Sequence, residues 1–221
     1  RHHLFIIEDN AQAHGATWKG KMTGSFGHVN ATSFYPTKNL GALGDGGAIT
    51  TNDEATAGFV ERYRNYGFES KNFCAEQGVN SRLDELQALV LSIKLKHLSY
   101  WNEQRRAIAS TYLERLNGVG DLQLPISPLE AYHVYHLFVI RTQRRDKLKE
   151  YLASFQVDTK IHYPVPPHLQ KAYASLGYKK GDFPITEAIA ETGLSLPLWP
   201  GMTIDQIGYV CDLVIKFYRA Q

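Results

Sequence analysis

The hydrophobic and polar positions of the first third of the chain alternate between short apolar runs and polar, glycine-bearing segments. Residues 4–7, 26–35 and 47–52 form apolar, strand-like runs. The continuous run at 4–7 is typical of a strand covered on both faces. A polar pair that can cap a helix follows the third run, and the pattern predicts that helix over 54–66. This order of elements indicates part of an α/β sheet.

The middle of the chain changes from an irregular segment to a long helical pattern. Residues 66–80 show no clean period and carry two glycines, so we expect a long loop, which in a compact domain usually serves function or an interface. From Ser81 apolar side chains recur at helical spacing as far as Leu116, and Asn117-Gly118 gives a stop signal. The pattern predicts a long helix, with room for one kink, of a length that commonly bridges two domains.

Beyond Gly120 the composition shifts and shorter elements follow one another. Strands are predicted at 132–141 and 157–162, helices at 145–155, 186–192 and 203–219, a proline-set turn at 163–168 and an extended segment at 194–200. The sequence therefore divides into residues 1–117, part of a large domain with a linking helix, and residues 118–221, a small C-terminal α+β domain.

Composition and charge narrow the class of protein. With 43% hydrophobic and 21% charged residues the chain is an ordinary globular protein. Its lysines and arginines are scattered and its net charge is +2, which argues against a nucleic-acid partner but is compatible with an anionic small-molecule ligand. No apolar run approaches the roughly twenty residues that span a bilayer, and no leader begins the chain, so we expect a cytoplasmic protein without a membrane partner. Cys74 and Cys211 make neither a metal pair nor a disulfide framework, and no metal site is predicted.

The first residues indicate the later part of a longer polypeptide. Arg1 is not an initiator methionine, and the apolar run at 4–7 follows almost at once. A natural protein seldom opens on a central strand, so we expect further residues upstream.

One lysine stands in an unusual sequence environment. Lys38 follows the run that ends at Pro36, and four glycines lie between positions 41 and 47. Glycines let the backbone pack close to whatever the lysine faces. An amine held in a half-buried pocket is more readily neutral and can form a Schiff base with a carbonyl. The alternative is a surface lysine that happens to follow a strand.

Three further polar side chains fall near predicted strand ends. Asp9 and Gln12 follow the 4–7 run, and Ser33 lies near the end of the 26–35 run. Open α/β sheets bind their ligands at the carboxyl ends of parallel strands. Pyridoxal phosphate needs a lysine for its aldehyde, a carboxylate for its ring nitrogen, donors for its phosphate and a polar partner for its phenolic oxygen. With the lysine these residues supply one group for each need, although Asp9 alone is also explained as a turn or helix-cap aspartate.

Longer motifs carry a resemblance to a known family. The motifs are EDNAQAHGA at 8–16, SFYPTKNLGALGDGG at 33–47, GVNSRLDELQA at 78–88, IHYPVPPHLQ at 161–170 and LSLPLWPGMT at 194–203. Together they closely resemble the sugar aminotransferases of the DegT/DnrJ/EryC1/StrS family, over nearly the whole chain. The resemblance implies the C-terminal portion of the aspartate aminotransferase-like, fold-type I fold of pyridoxal-phosphate enzymes. It further implies that the N-terminal part of the large, cofactor-binding domain is missing, with its phosphate loop and the aromatic residue that stacks on the ring.

The resemblance also implies roles for individual cofactor-binding residues. Lys38 would be the catalytic Schiff-base lysine, and Asp9 the partner of the pyridine nitrogen. Gln12 would bond the phenolic oxygen and Ser33 the phosphate. Asn80 would reach the phosphate bound in the neighbouring subunit, because members of the family resemble one another in sharing active sites across a homodimer.

Three substrate contacts are implied less directly. Lys71 matches a loop lysine near the nucleotide-sugar, and His162 and Tyr163 lie in a segment that borders the substrate. A solvated loop charge and a packed turn explain the same residues equally well. The chain departs from the family at 72–74, where many relatives carry a tyrosine and a histidine or asparagine, which puts the details of substrate contact in doubt.

The reaction implied is amino transfer from L-glutamate to a dTDP-linked keto-6-deoxysugar, in the synthesis of deoxyaminosugars for O-antigens and other surface polysaccharides. The residues around Lys38 are most similar to members that aminate carbon 3. Amination at carbon 4 is the alternative, since both classes share the cofactor residues. A related dehydrating branch replaces the lysine with histidine, so Lys38 argues against it. An alternative of a different class is a non-catalytic fragment that serves only in dimerisation.

Overall fold

The computed structural model describes residues 2–220, which divide into two compact units. The first unit runs to Glu103 and includes Pro128–His136. The second unit comprises Gln104–Ser127 and the chain from Leu137 onward. The division falls after Glu103, whereas the sequence predicts a domain boundary at 117, which stays a prediction.

The elements as far as the end of the long helical region are short strands followed by helices. They are β1 (Ile7–Asp9), β2 (Thr17–Trp18), β3 (Lys21–Met22), β4 (Val29–Ser33), β5 (Gly47–Thr51), α1 (Glu54–Tyr63), β6 (Phe68–Ser70), β7 (Phe73–Cys74), α2 (Glu85–Leu95) and α3 (Leu98–Arg115). The predicted long helix is thus two helices, α2 and α3, with a break at 96–97, where the sequence left room for a kink.

The central sheet of the first unit has the order β1-β4-β5. β1 pairs with β4 in parallel, with Asp9 opposite Ala31, and β5 pairs with β4 antiparallel, with Gly47 opposite Ser33. The expectation that residues 4–7 form a strand covered on both faces is wrong for this chain. β1 begins only at Ile7, and that side chain is 74% exposed, because β1 has a strand partner on one edge and its faces lack cover.

Two smaller pieces of sheet complete the first unit. β8 (Ala131–Tyr132) pairs with β2, which also pairs with β3, so residues 17–22 form a hairpin. The loop predicted at 66–80 contains the hairpin β6–β7. Strands of two or three residues are too short to show a period in the sequence, so the sequence predicted a loop where β6 and β7 lie.

Side-chain caps explain where α1 begins. Asp53 Oδ2 accepts a hydrogen bond from Thr56 N at 2.7 Å, as expected of an N-cap aspartate. The helix ends at Tyr63, three residues earlier than predicted, and the chain turns at Tyr66, whose φ is 60°.

The second unit contains β9 (Phe138–Arg141), α4 (Arg145–Ser154), α5 (Pro184–Thr192), β10 (Gly193–Leu196), α6 (Ile204–Arg219) and two short 3₁₀ helices at Pro167–Leu169 and Lys171–Leu176. β9 pairs antiparallel with β10. Two strand predictions are corrected here. The strand at 132–141 is split into β8 and β9 around Tyr135, whose φ is 41°, and the strand at 157–162 is reduced to one bridge between Lys160 and Ser195.

The core of the second unit lies between the β9–β10 pair and its helices. The fully buried side chains include Tyr112, Leu116, Phe138, Ile140, Leu148, Leu152, Leu194 and Val214. α6 begins with a capping box, in which Thr203 Oγ1 accepts from Gln206 N and Gln206 Oε1 accepts from Thr203 N. Within residues 2–220 none of the helices combines the length and apolarity that crossing a membrane requires, and no group of three or more His, Cys, Asp or Glu side chains is placed to share a metal ion.

Candidate functional site

The ends of β1 and β4 bring two predicted site residues to one end of the central sheet. Asp9 is the last residue of β1 and lies opposite Ala31, two residues before Ser33 at the end of β4. The pairing continues past Asp9, because Asn10 N donates to Ala31 O at 2.8 Å. Both side chains therefore lie where neighbouring parallel strands end, which is where an α/β sheet binds its ligands.

Asp9, at the end of β1, and Gln12, in the turn that follows, are both exposed. Asp9 Oδ1 accepts a hydrogen bond from Ala11 N at 2.9 Å, which is the bond that a turn aspartate makes. The side chain is nevertheless exposed, so the carboxylate is also accessible to a ligand. The turn explains the position of Asp9 and does not exclude a second role.

Lys38 lies half-buried in a turn held by backbone hydrogen bonds. Its own N–H donates to Tyr35 O at 2.9 Å, and Ser33 Oγ accepts from Tyr35 N at 3.3 Å. Position 41 needs a glycine, since a Cβ on Gly41 would lie 2.3 Å from Pro36 O. The chain thus folds back on itself around the lysine, as the glycine-rich sequence predicts.

Side chains of α2 hold the loop that follows the lysine. Lys94 Nζ donates to Gly41 O at 2.7 Å, and Gln87 Oε1 accepts from Leu43 N at 2.8 Å. A small buried apolar cluster joins the same segments and consists of Leu40, Ala42, Leu91 and Leu98, with Phe34 and Leu83 packed against it. Sequence analysis did not identify these contacts, because they join positions that no local pattern relates.

His14 is a buried neighbour of the site that sequence analysis missed. Its Nε2 lies 3.1 Å from Thr32 Oγ1, next to Ser33 at the end of β4. Burial lowers the pKa of the imidazole, the charge of Lys38 lowers it further, and the backbone of Ser33 offsets part of the change. At neutral pH the ring is therefore uncharged, and it places no second positive charge beside the lysine.

Glu8 fixes the segment before β4 against β1. Its carboxylate accepts from the backbone N–H groups of Gly24, Phe26 and Gly27 at 2.7, 2.8 and 3.2 Å. Burial alone would raise the pKa of this carboxyl, but the three donors outweigh burial, and the charge of Lys21 adds to them, so the pKa lies below its ordinary value of 4.5. The position of Asp9 depends on this arrangement, because Glu8 precedes it in β1.

The variant Glu8→Gln is expected to lose about 1–2 kcal/mol of unfolding free energy at neutral pH, because glutamine has one neutral acceptor oxygen where both carboxylate oxygens of Glu8 accept from backbone N–H groups. The depressed pKa also predicts a pH dependence. The contribution of Glu8 is complete above pH 4.5 and is lost as the pH falls through the lower folded-state pKa. Urea unfolding across the acidic range measures both effects.

The exposed Glu114→Gln on α3 serves as the control for the loss of one charge. An equal loss of stability in both variants, or an unchanged acid profile in Glu8→Gln, would contradict the assignment.

Asn80 borders a large open groove in the first unit. Its Oδ1 accepts from Arg82 Nε at 3.1 Å, and its backbone forms a bridge with Asn65. The groove has a volume of about 1090 Å³ and runs between β4, β5, α1 and the segment 80–84. Asn80 and Thr32 both line this groove, so Asn80 shares a cavity with the strand that carries Ser33.

The three implied substrate residues lie in two places. Lys71 is exposed in the turn between β6 and β7 of the first unit. His162 and Tyr163 belong to the second unit, where His162 Nδ1 lies 2.8 Å from Ser195 Oγ and Tyr163 is exposed. Burial and then the charge of Lys160 lower the pKa of His162. Within the first unit, the structure thus brings Asp9, Ser33 and Lys38 to one end of the central sheet.

Known proteins resemble this chain over almost its full length. Residues 1–215 match the model of the DegT/DnrJ/EryC1/StrS aminotransferase family. The dTDP-3-amino-3,6-dideoxy-alpha-D-galactopyranose transaminase of Aneurinibacillus thermoaerophilus is 48% identical over 98% of this chain and 59% of its own length. The dTDP-3-amino-3,4,6-trideoxy-alpha-D-glucose transaminase of Streptomyces venezuelae is 46% identical over 97% of this chain and 56% of its own length.

A solved structure gives the corresponding comparison of folds. The X-ray crystal structure of S. venezuelae DesV in complex with a ketimine intermediate superposes with a TM-score of 0.95 at 46% identity, covering 99% of this chain and 59% of that chain. The fold class predicted from the sequence is confirmed. The chain spans less than two thirds of the length of these relatives.

Proposed function

As the chain belongs to the DegT/DnrJ/EryC1/StrS aminotransferase family, we propose that the protein it comes from transfers an amino group from L-glutamate to carbon 3 of a dTDP-linked keto-6-deoxysugar. The observation that carries the proposal is the half-buried Lys38, held in its turn beside the strand ends that bear Asp9 and Ser33. The relatives at 46–48% identity whose names state a substrate class are dTDP-3-amino sugar transaminases, which favours carbon 3.

The donor set at this site fits pyridoxal phosphate. The carboxylate of Asp9 and the hydroxyl of Ser33 come from neighbouring strands, and the amine of Lys38 comes from the turn that follows β4. The carboxylate of Asp9 is exposed to a ligand despite its bond to Ala11. When bound, pyridoxal phosphate supplies an aldehyde that takes up amines and a ring that withdraws electrons. The chain presents the groups that such a cofactor needs, with Gln12 in the same turn as Asp9.

Each of these residues has a defined task in the proposed reaction. Lys38 Nζ would hold the aldehyde and, once released, would take the proton from the α-carbon of the amino donor. The carboxylate of Asp9 would keep the ring nitrogen protonated, Gln12 would bond the phenolic oxygen, and Ser33 Oγ would donate to the phosphate. The imidazole of His14, whose pKa is lowered by burial and by the charge of Lys38, adds no positive charge beside that lysine at neutral pH.

The sugar would be bound by residues outside this cluster. We assign Lys71 to the nucleotide portion, and His162 and Tyr163 to the border of the sugar pocket. Amination at carbon 4 remains the second candidate, because the residues proposed to bind the cofactor are the same for both positions. Such a reaction would take place in the cytoplasm and would serve the synthesis of surface polysaccharides such as lipopolysaccharide.

Regiochemistry can be tested directly with the full-length protein. Loaded with pyridoxal phosphate and L-glutamate, it is expected to aminate a dTDP-3-keto-6-deoxyhexose and to leave the 4-keto isomer unchanged, with the position of nitrogen read by NMR. Turnover of the 4-keto isomer alone would overturn the assignment to carbon 3. Absence of turnover and of any lysine-bound cofactor would favour a non-catalytic role.

We further propose that two copies of the protein share their sites as a homodimer, with Asn80 reaching the phosphate in the partner. An exposed apolar row on α2 supports this. Leu86, Leu89 and Ile93 follow one another at helical spacing and are 77%, 58% and 53% exposed. α2 begins immediately after the segment 80–84 that lines the groove, so the row lies close to Asn80 in the chain. Such a row marks an interface more often than a free surface.

The variant Leu89→Glu is expected to shift the full-length protein from dimer to monomer, because it places a charge at the centre of the row. Sedimentation velocity over a range of concentrations measures the shift. Leu129→Glu is the control, since Leu129 is fully exposed and lies outside α2. Dissociation by both variants, or by neither, would contradict the assignment of this row.

A further inference from the structure

Asn39, the residue directly after Lys38, is polar and buried, with 6% of its surface exposed. Its Nδ2 donates to Asn102 Oδ1 at 2.9 Å and to Val134 O at 3.1 Å. Its Oδ1 lies 3.1 Å from His136 Nδ1, which is the donor in this orientation of the amide. Both amide donors and one acceptor position of Asn39 are therefore used inside the protein.

The contacts continue from Asn102 toward the strand that carries Ser33. Asn102 is 1% exposed, and its Nδ2 donates to His14 O at 2.9 Å. The next residue, Gly15, leaves room for this amide, since a Cβ there would lie 2.8 Å from Asn102 Nδ2. The imidazole of His14 then contacts Thr32. A continuous series of polar contacts thus joins the residue after the lysine to the end of β4.

Apolar side chains of similar shape would fill this space at little or no loss of stability, because replacing both partners of a buried hydrogen bond is often close to neutral. Buried polar groups that bond to one another, in contrast, favour a single arrangement of the chain. Three separate segments meet at Asn39, namely the lysine turn, the start of α3 and the segment 128–136. All three segments are therefore joined at the residue directly after Lys38.

We infer that Asn39, Asn102 and His136 are positioning residues that fix the backbone of Lys38 for its bond to the cofactor aldehyde. The inference rests on the proposed function. The three residues act through the main chain at position 39, and they need not touch cofactor or substrate. Replacing one of them should therefore change the order of the turn at Lys38 and the rate at which Lys38 reacts. These changes should be larger than the loss of overall stability alone would cause.

The test uses Asn102→Ala, His136→Ala and His136→Asn in the full-length protein. An asparagine at 136 places its Nδ2 close to the position of the imidazole Nδ1 and restores a donor to Asn39 Oδ1. One readout is hydrogen exchange of the backbone amides at 37–42 in the cofactor-free protein. The other is the rate at which borohydride-trapped pyridoxal phosphate appears as a mass adduct on Lys38.

Both alanine variants are expected to exchange about tenfold faster at 37–42 and to form the adduct about tenfold more slowly. Asn102→Ala loses a buried hydrogen bond to Asn39, and His136→Ala loses a half-buried one. His136→Asn is expected to return both values to within about twofold of the original protein. Thr142→Val is the control. It removes a buried hydroxyl that donates to Asp121 at 2.6 Å in the second unit, and both Lys38 readouts should stay within about twofold.

The inference is overturned if the alanine variants lose stability as Thr142→Val does while both Lys38 readouts stay unchanged, or if His136→Asn behaves as His136→Ala. Should Asn102→Ala fail to fold, the two variants of His136 decide the question. Failure of the proposed function gives a different result. The original protein would then form no adduct on Lys38, and the exchange data would still report whether the network holds the lysine turn.

Discussion

In the full-length protein, Lys38→Ala is expected to lower the rate of transamination by about 10⁴-fold or more, because one amine is proposed both to hold the cofactor and to move the proton. The visible absorption band of lysine-bound cofactor should disappear in the same variant. Absorbance spectra before and after borohydride, together with turnover of the keto-sugar, measure the two effects.

Lys147→Ala provides the matched control, because Lys147 is an exposed lysine on α4 in the second unit. It should leave spectrum and turnover unchanged. Persistence of the absorption band or of the borohydride adduct in Lys38→Ala would remove the catalytic assignment, since another lysine would then hold the cofactor.

Asp9→Asn is expected to lower turnover by about 10²–10³-fold while the cofactor stays bound to Lys38. A neutral amide cannot balance the charge of a protonated ring nitrogen. The asparagine Oδ1 can still accept from Ala11 N, which Asp9 Oδ1 does at 2.9 Å, so the turn after β1 should survive. Turnover, cofactor spectrum and thermal unfolding of the loaded protein distinguish the electrostatic role from the structural one.

If Asp9 is only a turn residue, Asp9→Asn will leave turnover within about twofold of the original. Asp205→Asn tests for an unspecific effect of charge, because Asp205 lies in the first turn of α6, far along the chain from the proposed site. A large loss of turnover in both variants would also argue against the role of Asp9.

Local patterns in the sequence were sufficient to predict the strands, helix and turn that position the site. The apolar runs predicted β4 and β5 within a few residues, and the cap at Asp53 predicted the start of α1. The glycines after Lys38 predicted a tight turn, which the close approach at Gly41 explains. The family and the fold class, inferred from motifs, are confirmed, whereas the roles of the individual site residues stay predictions.

Contacts between distant segments were not predictable in this way. The three backbone donors on Glu8, the buried imidazole of His14 and the network of Asn39 depend on tertiary positions, and the isolated residues carry no sign of them. The prediction that residues 4–7 form a strand covered on both faces was wrong for a related reason. An apolar run indicates that its side chains are suited to burial, but it does not show which residues would cover them. In the described part of the chain nothing covers Ile7.

The lysine turn has one consequence for the order of events during synthesis. Its anchors come from Gln87, Lys94 and Asn102, which lie 44, 53 and 63 positions after their partners in the chain. A nascent polypeptide that has emerged only as far as β5 cannot yet hold the turn in place. If Lys38 binds pyridoxal phosphate as proposed, attachment of the cofactor should await the folding of α2 and of the start of α3.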